Sequence, residues 1–536
     1  MFARYHGERT GARGLSRPVT MNAGVALAAD ASSANPVDTM FPQLQGDPNN
    51  FLEIGPATIA ALRELGQAMA EDPSNEEGVV PAAYTYFGQF IDHDVTKTVV
   101  DDAFAMLNGR DFIEASDFLP MSLDEVRAHV HNERTGVLDL DSVYGGLAAT
   151  NATNADGSMA LDQVTPSGFG PINTADRFHD LPRRALNPNP QNDLERQQDR
   201  EALIGDPRND ENLLVAQLHV AILRSHNAML ADGSKIAATQ VQSEVRRRYQ
   251  WAVLHDFLPR VCDPKVVQDI STTGRKLLNW QSASEVFMPI EFSAAAYRFG
   301  HSMVRQEYDH NSTFGPPPAL VRATFNFMFT FTALSGDLSP GPGPNGESPT
   351  LPDNWTIDWA RFFDSVGSTT ADSRNPARKI DTRIAPELGR LPDVVGQPLQ
   401  SMMAQLATRN LLRGYRFGLP TGQAVAKACG LPPLSPNVIA DAVVPSRRAN
   451  FMGAGFDQRT PLWFYILAEA GDPAGPNGLH LGPVGSRIVA ETLFALVQFS
   501  PDSVLITPPT ADELATGQFS LRGLIRLGLD KNLSPI

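Results

Sequence analysis

Residues 87–96 read FGQFIDHDVT, one Gln, two Asp and one His set among Phe87, Phe90 and Ile91. Polar side chains at this density beside apolar ones need partners, because desolvation without a hydrogen bond is costly. Gln89 and His93 are four residues apart. On a helix that spacing puts both on one face, reaching one cavity. Asp92 and Asp94 flank His93 and point to two other neighbourhoods. Taken alone, the triplet Asp92–His93–Asp94 fits a polar helix end, or a metal-holding hydrolase site.

A second stretch, GDPRNDENLL, sets Arg208 and Glu211 at the entry to residues 211–230, ENLLVAQLHVAILRSHNAML. This segment is apolar nearly all round and is expected as a buried helix, with Asp210 as its N-cap. Arg208 stays charged at any working pH, and by itself it fits a surface cation near a helix start. Arg224, His226 and Asn227 in the same segment read as structural polar groups. YRFGH places His301 on an expected helix, EFSAAAYRFGHSMVRQ, where Phe292, Ala295, Ala296, Phe299 and Met303 recur at helical spacing. A lone histidine there is explained by a satisfied core position. RNLLRGYRFGLP carries Asn410 and Arg413 on one helix.

Around these stretches, the bulk numbers narrow the class. The chain has 536 residues, 42% hydrophobic and 19% charged, as a globular protein does. Its 44 basic and 60 acidic residues leave a net charge of −16, which argues against nucleic-acid or anionic-membrane binding. Two cysteines, Cys262 and Cys429, exclude a disulfide framework and leave one bridge open. No run approaches the ~20 apolar residues of a membrane span. The apolar part of the N-terminus, AGVALAA, is short and gives no clear signal peptide. The expected location is therefore uncertain: cytoplasmic, or exported by a signal-independent route.

Along the chain, residues 1–75 read as an irregular N-terminal arm and 76–536 as one catalytic domain. Residues 100–205 read mostly as loops, and 335–352 as a surface loop. Further helices are expected at SEVRRRYQWAVLHDFLP, stopped at Pro259, at LQSMMAQLATRNLLRGYRFGLP, and at GSRIVAETLFALVQF, the last of them. Strand patterns are few, no internal repeat is visible, and the fold class is mainly α.

Six stretches then occur in a familiar order: FGQFIDHDVT, LDLDSVYG, GDPRNDENLLVAQLHVAILRSHN, WAVLHDFLP, YRFGH and RNLLRGYRFGLP. In that order and spacing the chain resembles the animal-type haem peroxidases of the peroxidase–cyclooxygenase superfamily. The form LDLDSVYG is that of the bacterial branch. The resemblance runs from about Ala82 to Leu431. It implies a large helical haem peroxidase domain with few short strands and long loops, haem b as cofactor, and hydrogen peroxide with small reducing donors as partners. It implies no nucleic acid.

The resemblance assigns roles position by position. His93 matches the distal base, Arg208 the distal arginine and Gln89 the distal glutamine. His301 matches the proximal iron ligand, Asn410 its hydrogen-bond partner, Arg413 a propionate partner, and Arg298 an arginine of the haem pocket. Asp92 and Glu211 match the carboxylates that become ester-linked to haem. Asp94 with Thr135, Val137, Asp139 and Asp141 matches a calcium site, for which alternate residues of an extended loop can converge hard oxygen ligands. The implied activity reduces peroxide through a ferryl intermediate and oxidises phenols, bromide, iodide or thiocyanate, as in a response to oxidative stress. A fatty-acid dioxygenase of the same superfamily, and a haem-containing adhesion or matrix protein, are the alternatives. Three positions bear on these. Asn212 stands where some mammalian members have a Met that makes a third haem bond. Asp141 stands where animal members often have Ser. Arg298 stands where dioxygenases carry a radical-forming Tyr.

Overall fold

The computed structural model describes residues 35–70, 76–100, 118–145, 153–166, 179–184, 201–232, 236–316, 319, 321–329, 332, 350–363, 375–390 and 405–529. Helices dominate, as expected. Those of ten residues or more among the described residues are α1 (Pro56–Met69), α2 (Ala82–Val95), α3 (Leu213–Ala231), α4 (Val241–Ala252), α5 (Pro264–Thr273), α6 (Leu406–Arg416), α7 (Leu462–Gly471) and α8 (Pro483–Gln498).

α2 is placed by the residues that opened the reading. Phe87, Phe90 and Ile91 are fully buried. Phe87 meets Tyr249 of α4 and Phe257 edge-on at 5.9 and 5.8 Å, and Phe90 meets His219 of α3 at 6.0 Å. Edge-to-face rings at this distance add to the burial of apolar area. The helix is clamped at both ends by strands. Glu77–Pro81 pairs with Pro376–Arg378 and runs straight into it. Thr98–Val100 follows it and enters a four-stranded sheet. There it pairs with Val130–Asn132, which pairs with Asn35–Asp38, which pairs in parallel with Met288–Pro289.

α6 is held by a close crossing with α1. A Cβ on Gly66 would lie 2.6 Å from the backbone N and Cα of Thr408, so only glycine allows the two backbones to meet there.

Several expectations are corrected. Residues 35–70 are not an irregular arm: they hold a sheet strand and α1, whose Ile59, Leu62, Leu65 and Met69 are buried at helical spacing. Residues 1–34 and 71–75 of that expected arm lie outside the described residues. α3 begins at Leu213 and is capped by Asn212, whose Oδ1 accepts from the Val215 N–H at 3.0 Å. Asp210 cannot cap it, because its carboxylate is taken by Arg183 at 2.6 and 2.9 Å.

Pro259 does not stop the chain after α4. A π-turn at Val253–Phe257 re-registers the helix, and Pro259 then falls in the first turn of Leu258–Val261, where its missing N–H is not needed. The segment around His301 is not one α-helix. It is an α-turn, Ile290–Ala294, and then a 3₁₀ helix, Ala296–Met303. The Arg298 Nε–H donates to the Ser293 carbonyl at 2.8 Å, the acceptor that an α-helix would offer to Tyr297.

α8 is followed by Ala511–Ala515 and Leu521–Leu527, so it is not the last helix. Residues 399–404 and 335–349 of the expected helix and loop lie outside the described residues, as do 101–117, 146–152, 167–178 and 185–200 of the long loop region. Cys262 and Cys429 are free thiols. No helix among the described residues is long and apolar enough to cross a membrane.

Candidate functional site

α2 brings Gln89, Asp92 and His93 to one cavity, and the 3₁₀ helix brings Arg298, Gly300 and His301 to the same cavity. Glu211 and Asn212 at the mouth of α3, with Thr85, Tyr86 and the phenol of Tyr297, add to its polar lining, while Phe299, Phe325, Met328 and Phe329 make much of the remainder apolar.

His93 is buried, and its Nδ1 lies 2.9 Å from Asn209 Oδ1. With the amide oxygen in that position, which can only accept, Nδ1 would carry the proton and Nε2 the lone pair. Burial and the Arg208 charge push the imidazole down to about 4, so it is neutral at pH 7.

Arg208 is equally buried. Its Nε and Nη2 bind Asp206 at 2.6 to 3.1 Å, and Nη2 also donates to the carbonyls of His93 and Thr96 at 2.9 and 2.7 Å. The guanidinium is therefore tied to the C-terminal end of α2. Its Nη1 is buried without a hydrogen-bond partner among the described residues. Arg208 stands behind His93 and does not itself line the cavity. Burial would raise Asp206, but Arg208 and Arg134 outweigh it and hold the carboxyl far below the usual range.

Gln89 is clamped by Asn212, whose Nδ2 donates to Gln89 Oε1 at 3.0 Å; the Gln89 amide nitrogen is 3.5 Å from Glu211 Oε2. Burial pushes Glu211 up to about 7. Asp92 accepts from Arg298 Nη1 at 3.1 Å and from the Thr96 hydroxyl at 2.8 Å. Burial raises it, but Arg298, His93 and Arg208 outweigh that and keep it below the usual carboxylate range.

His301 is half-buried, with Nδ1 2.8 Å from the Asn410 amide nitrogen of α6. The two ends of an amide are nearly isosteric. With its oxygen turned to the ring, the Nδ1–H donates and Nε2 is left with its lone pair. Arg413 is buried on the same helix but does not line the cavity. Arg409, which the sequence reading passed over, acts on Glu211 through its charge.

A second cluster sits behind α2. Asp94, Asp139 and Asp141 offer ligand atoms all within 4.8 Å of one another. Leu140, held in a left-handed conformation at φ 58°, donates its N–H to Asp94 Oδ2 at 3.3 Å. Thr135 donates from its hydroxyl to Asp139 at 3.1 Å and from its N–H to Asp141 at 3.2 Å, while its carbonyl accepts from Asn35 at 3.1 Å. Val137 lies between them in the loop. Burial and then the neighbouring acids push Asp94 well above the ordinary range; burial pushes Asp141 up to about 7 and raises Asp139. Arg134 bridges this cluster to the first site, pairing with Asp141 at 3.1 Å and with Asp206.

Sequence reading missed Arg134, Asp206, Asn209 and His219. Asp206 and Asn209 are visible as polar residues leading into an apolar helix, and His219 as the one ionisable residue of VAQLHVAIL. His226 and Asn227 are structural, as read. His226 meets the Tyr144 hydroxyl and the Gly157 carbonyl, and Asn227 exchanges hydrogen bonds with the Met159 backbone.

The sequence profile described as animal haem peroxidase matches residues 120–338. A peroxidase-like protein of Margaritifera margaritifera is 27% identical over 160 residues, 27% of this chain and 19% of that protein. Human thyroid peroxidase is 25% identical over 261 residues, 46% of this chain and 24% of that protein. The matches thus span a quarter or less of these relatives' length. Among solved structures, peroxidase A from Dictyostelium discoideum superposes with a TM-score of 0.54 at 15% identity, covering 98% of this chain and 97% of that one. Oryza sativa fatty acid alpha-dioxygenase superposes at 0.51 and 12% identity, covering 92% and 77%. These two likenesses speak to the fold.

Proposed function

We propose that this chain belongs to the peroxidase–cyclooxygenase superfamily and is a haem peroxidase of the bacterial branch, reducing hydrogen peroxide at the expense of small donors; the partial match to the animal haem peroxidase profile and the likeness of fold support that reading. The observation that carries the reading is the pairing, in one cavity, of a buried neutral histidine beside a buried arginine with a second histidine that is hydrogen-bonded to an asparagine.

The residues present fit haem b. The cavity is largely apolar, and a Cβ on Gly300, which lines it, would meet nothing within 4 Å, so the floor beside His301 is open for a flat ring. His301 would hold the iron through Nε2, with Asn410 fixing the ring and its basicity. Asp92 and Glu211 would form the ester links to haem, and Arg298 and Arg413 would hold it by charge. When bound, haem supplies the electrons that cleave the O–O bond and takes them back from the donor.

The chain does the rest. His93 Nε2 accepts a proton from one peroxide oxygen and returns it to the other as water leaves, which requires the neutral ring that burial and Arg208 enforce. Arg208, immobilised by Asp206 and two carbonyls, sets a positive potential where negative charge gathers on the leaving oxygen. Gln89, held by Asn212, orients water or a halide. Asp94, Asp139 and Asp141, with oxygens of Thr135 and Val137, would bind calcium and lock the loop to α2. With Asn212 in place of Met, chloride is not among the proposed donors; phenols, bromide, iodide and thiocyanate are.

Arg298 argues against a fatty-acid dioxygenase. In a 3₁₀ helix residues three apart eclipse, so Arg298 shares the face of His301, and its charge is engaged by Asp92. The test is a spectrum of the haem-loaded protein before and after peroxide, with guaiacol oxidation and linoleate-dependent oxygen uptake measured in parallel. Guaiacol turnover without oxygen uptake supports the peroxidase. Uptake abolished by Tyr297→Phe, with guaiacol oxidation intact, overturns it. Haem binding with neither activity points to a binding protein.

A further inference from the structure

Behind His93 lies a second histidine that the proposed chemistry does not use. Asn209 stands between them. Its Oδ1 is 2.9 Å from His93 Nδ1 and its Nδ2 is 3.0 Å from His219 Nδ1. All three side chains are 1% exposed or less. Among the described residues His219 Nε2 is buried without a hydrogen-bond partner, and Asn209 is the one group that holds this ring by hydrogen bonding.

The array has few self-consistent arrangements. A neutral imidazole has one N–H, an amide has an acceptor end and a donor end, and all three groups are shielded from bulk solvent. With Oδ1 on His93, the His93 proton sits on Nδ1, Nε2 keeps its lone pair, and His219 accepts at Nδ1. With the amide rotated by 180°, the NH₂ group faces His93. Its proton then moves to Nε2, and the ring loses the lone pair that a proton acceptor needs.

We infer that Asn209 is a positioning residue for the distal base: anchored at its other end on His219, its carboxamide keeps the proton of His93 on Nδ1 and the lone pair on Nε2. The inference rests on the reading of His93 as the proton acceptor. The backbone supports it, because Asn209 is locked in the Pro207–Asp210 turn by its N–H to the Asp206 carbonyl at 3.0 Å. The side chain therefore cannot follow His93 by moving its own backbone.

Cyanide association to the ferric haem-loaded protein is the test. HCN must give its proton to the distal base before the anion binds iron, and the reaction involves no donor and no turnover. Asn209→Leu keeps the volume and removes the acceptor; Asn209→Asp keeps an acceptor facing His93. A packing role would favour Leu, since a buried carboxylate is the costlier replacement. The tautomer role predicts the reverse: Asn209→Leu slows cyanide association about tenfold or more, and Asn209→Asp recovers most of that loss. His93→Ala should slow it about a hundredfold.

If His93→Ala is slow while Asn209→Leu matches wild type, the inference falls and the reading of His93 stands. If His93→Ala binds cyanide at the wild-type rate, the reading of His93 itself falls. Should Asn209→Leu not fold, His219→Leu releases the far end of the amide. A rate at least threefold below wild type then supports the array, and an unchanged rate overturns it.

Discussion

Replacing Asp94 by Asn should change stability little without a divalent cation and cost most of the gain that a cation brings. Two full charges 4.8 Å apart repel by about 3.5 kcal/mol at an effective dielectric of ~20. Three ionised carboxylates at that spacing would cost about 10 kcal/mol, more than Arg134 alone returns. Without a cation the cluster escapes by keeping protons on, which is the direction in which burial and the neighbouring acids push Asp94. An amide at 94 is neutral, of the same shape, and still accepts from the Leu140 N–H. The cation-free variant should therefore differ from wild type by less than about 1 kcal/mol.

Calcium reverses the balance, because all three acids can then ionise around it. At a hundred times its dissociation constant, a cation binding only the folded state adds about 2.7 kcal/mol. For a chain of 536 residues unfolding as a unit, that raises Tm by about 2–3 °C. The assay is thermal unfolding followed by circular dichroism, with EDTA and then with increasing CaCl₂. Wild type should gain the full increment, and Asp94→Asn less than about a third of it. A wild-type Tm that does not respond to calcium, or a variant that keeps the whole gain, refutes the assignment of these three acids to a cation.

Other outcomes follow from the same geometry. His301→Ala should lose tightly held haem or shift its Soret band strongly; an unchanged band with full activity would sink the ligand assignment. After turnover with peroxide, acid–acetone should leave haem on the polypeptide through Asp92 and Glu211, and complete extraction from matured enzyme would exclude the esters. Peroxide consumption should hold nearly constant down to pH 5 and fall as pH drops through about 4, because the folded-state value of His93 is depressed and only its neutral form accepts a proton. At pH 5 the neutral fraction is about thirty times that of an ordinary histidine, so an acid limb near 6.5 contradicts the burial of His93. Overall stability is a poorer readout of that titration, since Glu291 and Glu469, pushed up by burial to about 7 and 8, favour the folded state at low pH. Gly66→Ala should lower Tm by about 1–3 °C by driving α6 off α1, and weaken haem retention through Asn410, whereas an unchanged Tm would show that the crossing can relax.

Much of the site was legible from sequence because its parts are local. Gln89 and His93 share a helix face by spacing alone, and a nearly all-apolar α3 entered by Arg208 and Glu211 announces its burial. The chain order of six stretches carried the resemblance. Folding supplied what depends on partners distant in sequence. Asp210 is no cap because Arg183, 27 residues away, takes its carboxylate. In the 3₁₀ segment of His301, Arg298 answers to Asp92, 206 residues away, and a local side-chain bond takes the Ser293 carbonyl that an α-helix would use. Arg134 reaches Asp206 across 72 residues and Asn209 reaches His93 across 116, separations that no window of sequence spans. Periodicity reports which face of a segment is apolar. It is silent on which buried polar group meets which, since that is settled when desolvated donors and acceptors pair across the packed core.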